Sequence, residues 1–245
     1  MKEQFNKLWE HHAPSQDKVE YFLFLNFVKN YLSMQGVNNP LVVEIGVRGV
    51  KQSLYYKNLL NAEYIGIDIQ KKQQDFIICG DSTKKETLEE LKKRLNGRMI
   101  DLLFIDGWHT YDVVKSDWEM YSPLAKHLVA LHDINWKINY YPDDKKVNPN
   151  GDVPSVNKLW NELYEQGKSM ISFQIPGTFE VIDDQQNKEI YIGDPGIGVV
   201  LMDRKELECR WTFEKNKFRH MWGENGRAYP RAKRIGGCSG TTVSK

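Results

Sequence analysis

The sequence is poor in cysteine and has no long apolar run, and both absences narrow the class of protein. Its three cysteines, Cys79, Cys209 and Cys238, lie far apart without C-x-x-C spacing. This pattern argues against a disulfide framework and against a zinc site, so we expect a reducing compartment, the cytoplasm. No apolar stretch approaches the roughly 20 residues that a membrane span needs, and no secretory signal is evident, so we expect no membrane partner.

An excess of charge of one sign is also absent. The chain has 34 basic and 33 acidic residues, which leaves a formal net charge of +1 at pH 7. A nearly neutral chain offers no electrostatic footprint for a nucleic acid, so we expect no nucleic-acid partner. At 245 residues, the chain is long enough to bury the core of a single α/β domain without disulfides or structural metal.

Short apolar runs alternate with segments of helical periodicity, which is typical of βαβ units and a mostly parallel sheet. The runs are nearly continuous in apolar residues, as expected for strands that are buried on both faces. We therefore predict a Rossmann-like, doubly wound α/β fold. The predicted strands are 41–46, 64–68, 76–79, 100–105 and 128–132, with closing strands at 169–181 and 197–202. The predicted helices between them are 50–60, 83–95, 113–121 and 156–166.

We divide the chain into a helical extension at 1–38, a catalytic domain at 39–210 and a basic, glycine-rich tail at 211–245 that we expect to be loosely ordered at its end. The extension contains a predicted helix at 19–34, a candidate cover for the ligand or a candidate interface of a homo-oligomer. Within the domain, residues 140–154 form a long polar loop rich in proline, and loops of this kind are often functional lids.

Polar residues follow each of the first five predicted strands. The carboxyl ends of parallel strands meet at one edge of the sheet, where open α/β folds bind their ligands. We therefore expect these residues to form one site. They are the segment from Glu44 to Gly49, Asp68, the pair Asp81 and Ser82, the segment from Asp106 to His109, and the pair His132 and Asp133.

The first two strand ends suit an adenosine cofactor. Gly46 and Gly49 permit a tight turn and a close approach of the backbone to a ligand, and Asp68 is placed to accept hydrogen bonds from ribose hydroxyls. A dinucleotide site needs G-x-G-x-x-G, and this loop lacks the first glycine. Glu44 would repel a pyrophosphate but suits the ammonium of a methionine moiety. After the third strand, Asp81 and Ser82 suit the adenine edge.

Five segments resemble successive motifs of the class I S-adenosylmethionine-dependent methyltransferases: V-V-E-I-G-V-R-G, Y-I-G-I-D, G-D-S, D-L-L-F-I-D-G-W-H-T-Y and A-L-H-D-I. The resemblance covers about residues 41–135 and is strongest to the branch with the cephalosporin-hydroxylase-like and macrocin-type sugar O-methyltransferases. It implies S-adenosylmethionine as the cofactor. The cofactor-binding residues that it implies are Glu44, Gly46, Arg48, Gly49, Asp68, Asp81, Ser82 and Asp106.

The resemblance also implies chemistry after the fourth and fifth strands. Asp106 would bind a divalent metal, His109 would act as general base near pH 7, and Asp133 would complete the metal site. Some relatives have two acids where this chain has His132 and Asp133, so the implied set of Asp106, His132 and Asp133 is less rich in oxygen. Magnesium is the candidate metal, and it would bind a vicinal diol and lower its pKa.

The acceptor that the resemblance implies is a hydroxyl of a saccharide or of a small natural product. Trp108 lies in the same loop and could stack on the ring of such an acceptor. Two other functions fit the fold: a nicotinamide-dependent oxidoreductase, and a binding protein that retains the pocket without turnover. The individual residues keep structural alternatives as well, since Asp81 and Ser82 favour turns and helix caps, and His132 could be a packed core histidine.

Overall fold

The protein is described by a computed structural model over residues 1–135, 155–173, 178–182, 188–192 and 196–202. The helices are α1 Lys2–His12, α2 Lys18–Met34, α3 Lys51–Leu60, α4 Lys85–Leu95, α5 Tyr111–Tyr121 and α6 Val156–Glu165, and a short 3-10 helix spans Ser122–Leu124. The strands are β1 Leu41–Ile45, β2 Glu63–Asp68, β3 Ile77–Cys79, β4 Ile100–Ile105, β5 Ala125–His132, β6 Ser169–Phe173, β7 Thr178–Ile182, β8 Lys188–Ile192 and β9 Ile197–Leu201.

Seven strands form one sheet in the order β3-β2-β1-β4-β5-β9-β6. The first five are mutually parallel where they pair, whereas β9 runs antiparallel to both β5 and β6. The chain reverses its direction of travel across the sheet between β1 and β4, and this switch point is where open α/β sheets bind ligands. The predicted Rossmann-like, mostly parallel sheet is confirmed.

The core lies on both faces of the central strands. All five residues of β1 are buried, as are the last four residues of β4. Each fully buried aliphatic or aromatic side chain contributes roughly 1.5–3 kcal/mol relative to an exposed one. The continuous apolar runs in the sequence therefore reflect helices on both sides of the sheet, and this burial holds the carboxyl ends of β1 and β4 rigidly together.

The N-terminal extension consists of two helices, of which the sequence predicted only the second. Phe5, the one buried residue of α1, packs against Trp9, Tyr21, Phe22 and Tyr55 with ring centroids 5.1–6.4 Å apart. Helix α2 begins after Asp17, whose carboxylate accepts hydrogen bonds from the N–H groups of Val19 and Glu20. Because such an N-cap satisfies donors that the helix leaves open, the start of α2 is fixed.

The predicted closing strand at 169–181 is two strands in two sheets. β6 belongs to the large sheet, whereas β7 pairs with β8, a strand that the sequence did not predict, in a separate antiparallel ribbon. The sequence places Pro176 and Gly177 between β6 and β7, and a proline without an N–H cannot continue a ladder.

The predicted lid at 140–154 and tail at 211–245 lie outside the described residues. Within the described part of the chain, no helix is long and apolar enough to cross a membrane.

Candidate active site

The loops after β1 and β4 touch each other at the switch point. Gly46 has φ +86°, and a Cβ added there would lie 2.1 Å from the carbonyl oxygen of Asp106. The Asp106 N–H donates to the carbonyl of Ile45 at 2.9 Å, and the Gly46 N–H donates to Ile67 at 2.9 Å. Only glycine fits this conformation and this close approach. The predicted turn at Gly46 therefore brings the first loop directly against Asp106.

Four side chains at the carboxyl ends of β4 and β5 form a closed ring in which acids and imidazoles alternate. Asp106 Oδ1 lies 3.3 Å from His109 Nε2 and 3.0 Å from His132 Nδ1. Asp133 closes the ring, with Oδ2 at 2.9 Å from His109 Nδ1 and Oδ1 at 3.1 Å from His132 Nδ1. The structure thus brings together every residue that the sequence proposed for proton transfer and metal binding.

The ring sets the charge of its members. Burial opposes ionisation of Asp106, but the positive charges of His132 and His109 bring the pKa of its carboxyl below the usual range. Burial favours neutral imidazoles, yet Asp133 and Asp106 raise the pKa of His109 well above its ordinary value, and Asp106 and Asp133 raise the pKa of His132 to about 9. Without a bound cation, the two carboxylates therefore favour the charged form of both imidazoles. A general base has to be neutral, so this role of His109 stays a prediction.

The cluster fits a divalent cation. The ligand atoms of Asp106, His109 and His132 all lie within 4.8 Å of one another. Both ring nitrogens of His132 and Oδ1 of Asp133 are buried, and none makes a hydrogen bond of normal geometry with any part of the chain that the structure describes. Buried polar atoms of this kind call for a partner. The donors of this cluster mix nitrogen with oxygen, whereas Mg²⁺ prefers oxygen ligands alone. The cluster therefore suits Mn²⁺, Fe²⁺, Co²⁺ or Zn²⁺ better than it suits Mg²⁺.

Helix α6 holds both loops of the ring. The side chain of Asn157 donates to the carbonyl of Ile134 at 3.0 Å, directly after Asp133, which adopts the left-handed conformation at φ +58°. Thr110, next to His109, forms a β-bridge with Ser155. The Tyr of the F-I-D-G-W-H-T-Y motif is Tyr111, and its hydroxyl donates to Glu162 of α6 at 2.8 Å. This tyrosine therefore acts as an anchor that positions the loop.

Asp68 fastens the glycine loop to the second strand. Its Oδ2 accepts the backbone N–H of Arg48 at 2.8 Å, and its Oδ1 accepts the N–H of Gln70 at 2.7 Å. Each carboxylate oxygen retains a lone pair, so the predicted contact with ribose hydroxyls stays open. Arg48 contributes to the site through its backbone, with φ +42°. A Cβ at Gly49 would meet no atom closer than 3.8 Å, so the fold itself does not require glycine there.

Glu44 is fully buried in the sheet. The hydroxyl of Tyr64 donates to its Oε2, and its Oε1 has no hydrogen-bond partner among the described residues. Burial raises the pKa of this carboxyl well above its usual range, and the hydrogen bond from Tyr64 opposes that shift only in part. The predicted contact with a methionine ammonium stays a prediction, and the free oxygen is the atom available for it.

The segment after β3 serves the turn that leads into α4. Asp81 Oδ1 accepts hydrogen bonds from the N–H of Thr83 at 2.9 Å and from its hydroxyl at 2.7 Å. These bonds lower the pKa of Asp81. The carbonyl of Ser82 accepts a hydrogen bond from the hydroxyl of Tyr121 at 2.7 Å. The structural role of this pair is therefore realised, whereas the predicted contact with adenine stays a prediction.

Asp117 of α5 stands beside Ser82 and was not singled out in the sequence. It is fully buried, and burial raises the pKa of its carboxyl from 3.8 to about 7. Between about pH 4 and pH 7 the folded state keeps a proton that the unfolded chain has released, so the free energy of unfolding falls as pH rises through that window. Asp117→Asn should remove this slope and raise the free energy of unfolding at about pH 8 by roughly 2–4 kcal/mol.

The measurement is urea unfolding at a series of pH values. Asp75→Asn, which replaces the same type of carboxylate at an exposed position, is the matched control and should leave the slope unchanged. A slope that persists in Asp117→Asn would show that another group produces it and that Asp117 does not hold the extra proton.

Two glutamines reach the ring from outside the motifs. The amide nitrogen of Gln16 donates to Asp106 Oδ2 at 2.9 Å, and that of Gln52 lies 3.5 Å from the same oxygen. Gln16 is 90 residues from Asp106 in the chain, and no spacing or periodicity connects the two positions. Sequence reasoning missed Gln16 because its contact depends on how α1 and α2 pack on the sheet. It missed Gln52, in the first turn of α3, because the first of the motifs quoted from the sequence ends at Gly49.

Comparisons with known proteins show the fold. No protein-family model matches the chain, and no curated protein matches it. Among solved structures, the MycE methyltransferase from the mycinamycin biosynthetic pathway in complex with Mg, SAH and mycinamycin VI is similar over 82% of this chain, with a TM-score of 0.56 and 17% identity. MycE in complex with Mg and SAH, in crystal form 1, is similar over 82% of this chain, with a TM-score of 0.55 and 18% identity.

The similarity covers only part of the MycE chain. The chain spans 55% of the MycE chain in both structures, which is about half of its length. At this identity the similarity establishes the shared architecture of the sheet and its helices. What the chain does has to be argued from its own residues.

Proposed function

We propose that the protein is an S-adenosylmethionine-dependent methyltransferase that transfers a methyl group to a hydroxyl of a saccharide or of a small natural product. The observation that carries the proposal is the ring of Asp106, His109, Asp133 and His132 beside the glycine turn at Gly46. This arrangement places acid–base groups at the switch point, where a fold of this kind holds its cofactor.

The similar structures support the choice of cofactor. MycE has the same fold and was crystallised with SAH and Mg, and the residues of this chain at the corresponding sheet edge fit an adenosine cofactor and a divalent cation. S-adenosylmethionine supplies the methyl group on a positive sulfur when bound, and a divalent cation supplies the charge that lowers the pKa of an acceptor hydroxyl. Asp106 and His132 of that cluster would hold the cation together with Asp133, whose buried Oδ1 has no hydrogen-bond partner among the described residues, and this leaves His109 for the acceptor proton.

His109 is the residue that we assign to the acceptor proton. Asp133 contacts Nδ1 and orients the ring, so Nε2 is the nitrogen that would accept the proton of the hydroxyl. Asp133 would then stabilise the imidazolium that forms. His109 must be neutral before this step, so the contact between Nε2 and Asp106 Oδ1 at 3.3 Å, which favours the charged form, has to be lost first.

The loop around His109 also has a surface for an acceptor. Trp108 is 55% exposed, which is unusual for a large aromatic side chain, and it precedes His109 directly. An exposed indole next to a proton acceptor suits the apolar face of a sugar ring or an aromatic ring. Most of the rate would then come from the alignment of the hydroxyl with the methyl group.

The first test is calorimetric titration of the purified protein with SAH and, separately, with NAD, each with and without magnesium. We expect SAH to bind in the micromolar range and NAD not to bind, since the loop lacks the first glycine of G-x-G-x-x-G. Stronger SAH binding in the presence of magnesium would support the metal set. No SAH binding under any condition would remove the proposal, and binding of NAD alone would favour the oxidoreductase.

SAH binding would be followed by a screen of hydroxyl compounds with S-adenosylmethionine, in which the release of SAH is measured. Methyl transfer to a saccharide or to a small natural product would support the acceptor class. Tight cofactor binding without turnover on any hydroxyl compound would favour a binding protein.

A further inference from the structure

Gln16 occupies an unusual place for a glutamine in a linker. It lies between α1 and α2, and its neighbours from His11 to Val19 are exposed or only partly buried, whereas Gln16 itself is 8% exposed. Its amide nitrogen donates to Asp106 Oδ2 at 2.9 Å. The linker thus turns one polar side chain inward, onto the carboxylate at the centre of the candidate site.

Both flanks of the linker fix this side chain in place. On one side, the hydroxyl of Tyr55 donates to the carbonyl of His12 at 3.2 Å, and Phe5 of α1 packs against Tyr55. On the other side, Asp17 caps the first turn of α2. The backbone is thus fixed at His12 before Gln16 and at Asp17 directly after it. The packing of the N-terminal extension therefore positions Gln16 against Asp106.

The two ends of the Gln16 amide have different environments. The nitrogen is used by Asp106, whereas Oε1 is buried and has no hydrogen-bond partner among the residues that the structure describes. A buried acceptor without a donor destabilises a folded protein unless something else supplies the donor. No contact with the described residues requires the carbonyl of Gln16, so an apolar side chain of the same length would satisfy the packing alone. The carbonyl oxygen therefore needs another explanation.

The charges around Oε1 indicate what could supply the partner. Asp106 has its Oδ1 directed to His109 and His132, and its Oδ2 directed to Gln16, with the amide of Gln52 at 3.5 Å. A group that binds between a carboxylate and a free carbonyl oxygen has to be a hydrogen-bond donor or a metal ion, and a positive charge is favoured beside the carboxylate.

We infer that Gln16 is a ligand-binding residue of the candidate site: its N–H holds Asp106 in position, and its carbonyl oxygen binds a positively charged group seated beside that carboxylate. The inference rests on the proposed function, which supplies two such groups, the ammonium of the amino-acid part of the cofactor and a divalent cation. Both present the same chemistry to Oε1. The N-terminal extension is then part of the site itself.

Two variants separate the roles of the amide. Gln16→Met keeps the length of the side chain and removes both ends of the amide. Gln16→Lys keeps a donor for Asp106, removes the acceptor and places a positive charge where we expect the ligand's charge. Gln73→Met, at an exposed position, is the matched control. Thermal unfolding of each apoprotein reports whether the variants are folded, and Gln16→Lys should be at least as stable as Gln16→Met.

The measurement is calorimetric titration of each folded variant with SAH in the absence of divalent cations, and with MnCl₂ or MgCl₂ alone. We expect both Gln16 variants to bind at least about 10-fold more weakly than the wild type, as for the loss of a hydrogen bond to a charged group, while Gln73→Met binds normally. Weaker SAH binding identifies the ammonium as the partner of Oε1, and weaker metal binding alone identifies the cation.

The outcomes that overturn the inference are distinct from those that overturn the proposed function. Wild-type protein that binds neither SAH nor a divalent cation removes the proposed function and this inference with it. Wild-type protein that binds, together with Gln16 variants that bind equally well, removes the inference alone. A drop in apoprotein stability with unchanged affinities would have the same meaning, since it would show a structural role only.

Discussion

Gly46→Ala should lower the free energy of unfolding by about 3–5 kcal/mol, the largest stability effect that we expect from a single methyl group in this protein. The added Cβ would lie 2.1 Å from the Asp106 carbonyl oxygen, 2.5 Å from the carbonyl carbon and 2.6 Å from the Gly107 Cα. These are backbone atoms of the segment directly after β4, so they cannot move aside as the tip of a flexible side chain could. SAH binding should be lost as well, because relief of the overlap would separate the loops after β1 and β4.

Gly97→Ala is the matched control for the backbone conformation. Gly97 has φ +81°, close to that of Gly46, but a Cβ there would meet nothing within 4 Å. This variant should therefore show only the cost of a left-handed alanine, about 1–2 kcal/mol. Urea unfolding of both variants measures the difference. Equal losses would mean that the contact between the two loops does not constrain Gly46.

His109→Ala should reduce methyl transfer by about 10²–10⁴-fold, the range for removal of a general base, while it leaves SAH affinity within a few-fold of the wild type. The rate would be measured on the acceptor identified in the hydroxyl screen, across a pH series. In the wild type, the rate should rise with pH as His109 loses its proton, and because two carboxylates raise its pKa, this limb should extend above the ordinary range of histidine. The variant should lack this limb.

His11→Ala is the matched control for loss of an imidazole, since His11 is exposed at the end of α1. It should have the wild-type rate and pH profile. If His109→Ala retained full activity, the assignment of the proton acceptor would be wrong. If His109→Ala lost SAH binding together with activity, His109 would be needed to keep the ring of Asp106, His109, Asp133 and His132 in place and would not be shown to accept the proton.

The sequence predicted the parallel half of the fold because its signals are local. The run at Leu41–Ile45 is apolar throughout since both faces of β1 are covered, and the same holds for most of β4. The antiparallel insertion of β9 between β5 and β6 was not predictable in this way, because the apolar run at Ile197–Leu201 is compatible with either direction and with any neighbour. Helix α1 was missed since Phe5 is its only buried residue, so it shows little apolar periodicity.

The same division applies to the candidate site. Asp106, His109, His132 and Asp133 could be proposed from the sequence because they lie at or just after the carboxyl ends of β4 and β5, and such strand ends meet at one edge. The raised pKa of His109 could not be predicted, since it depends on two carboxylates that approach opposite nitrogens of one ring. Gln16 lay beyond sequence reasoning because its position depends on aromatic packing between α1, α2 and α3.

The position of β9 also constrains the order in which the sheet can be built as the chain is synthesised. β6 precedes β9 in the chain, yet within the large sheet it pairs with β9 alone. A ribosome-bound chain that has emerged only as far as β6 can therefore complete the five parallel strands but has no partner for β6. The edge of β5 stays open until β9 arrives and pairs with both neighbours. During that interval the exposed edge of β5 is a place where another chain could pair, so a pause in synthesis between β6 and β9 would favour aggregation.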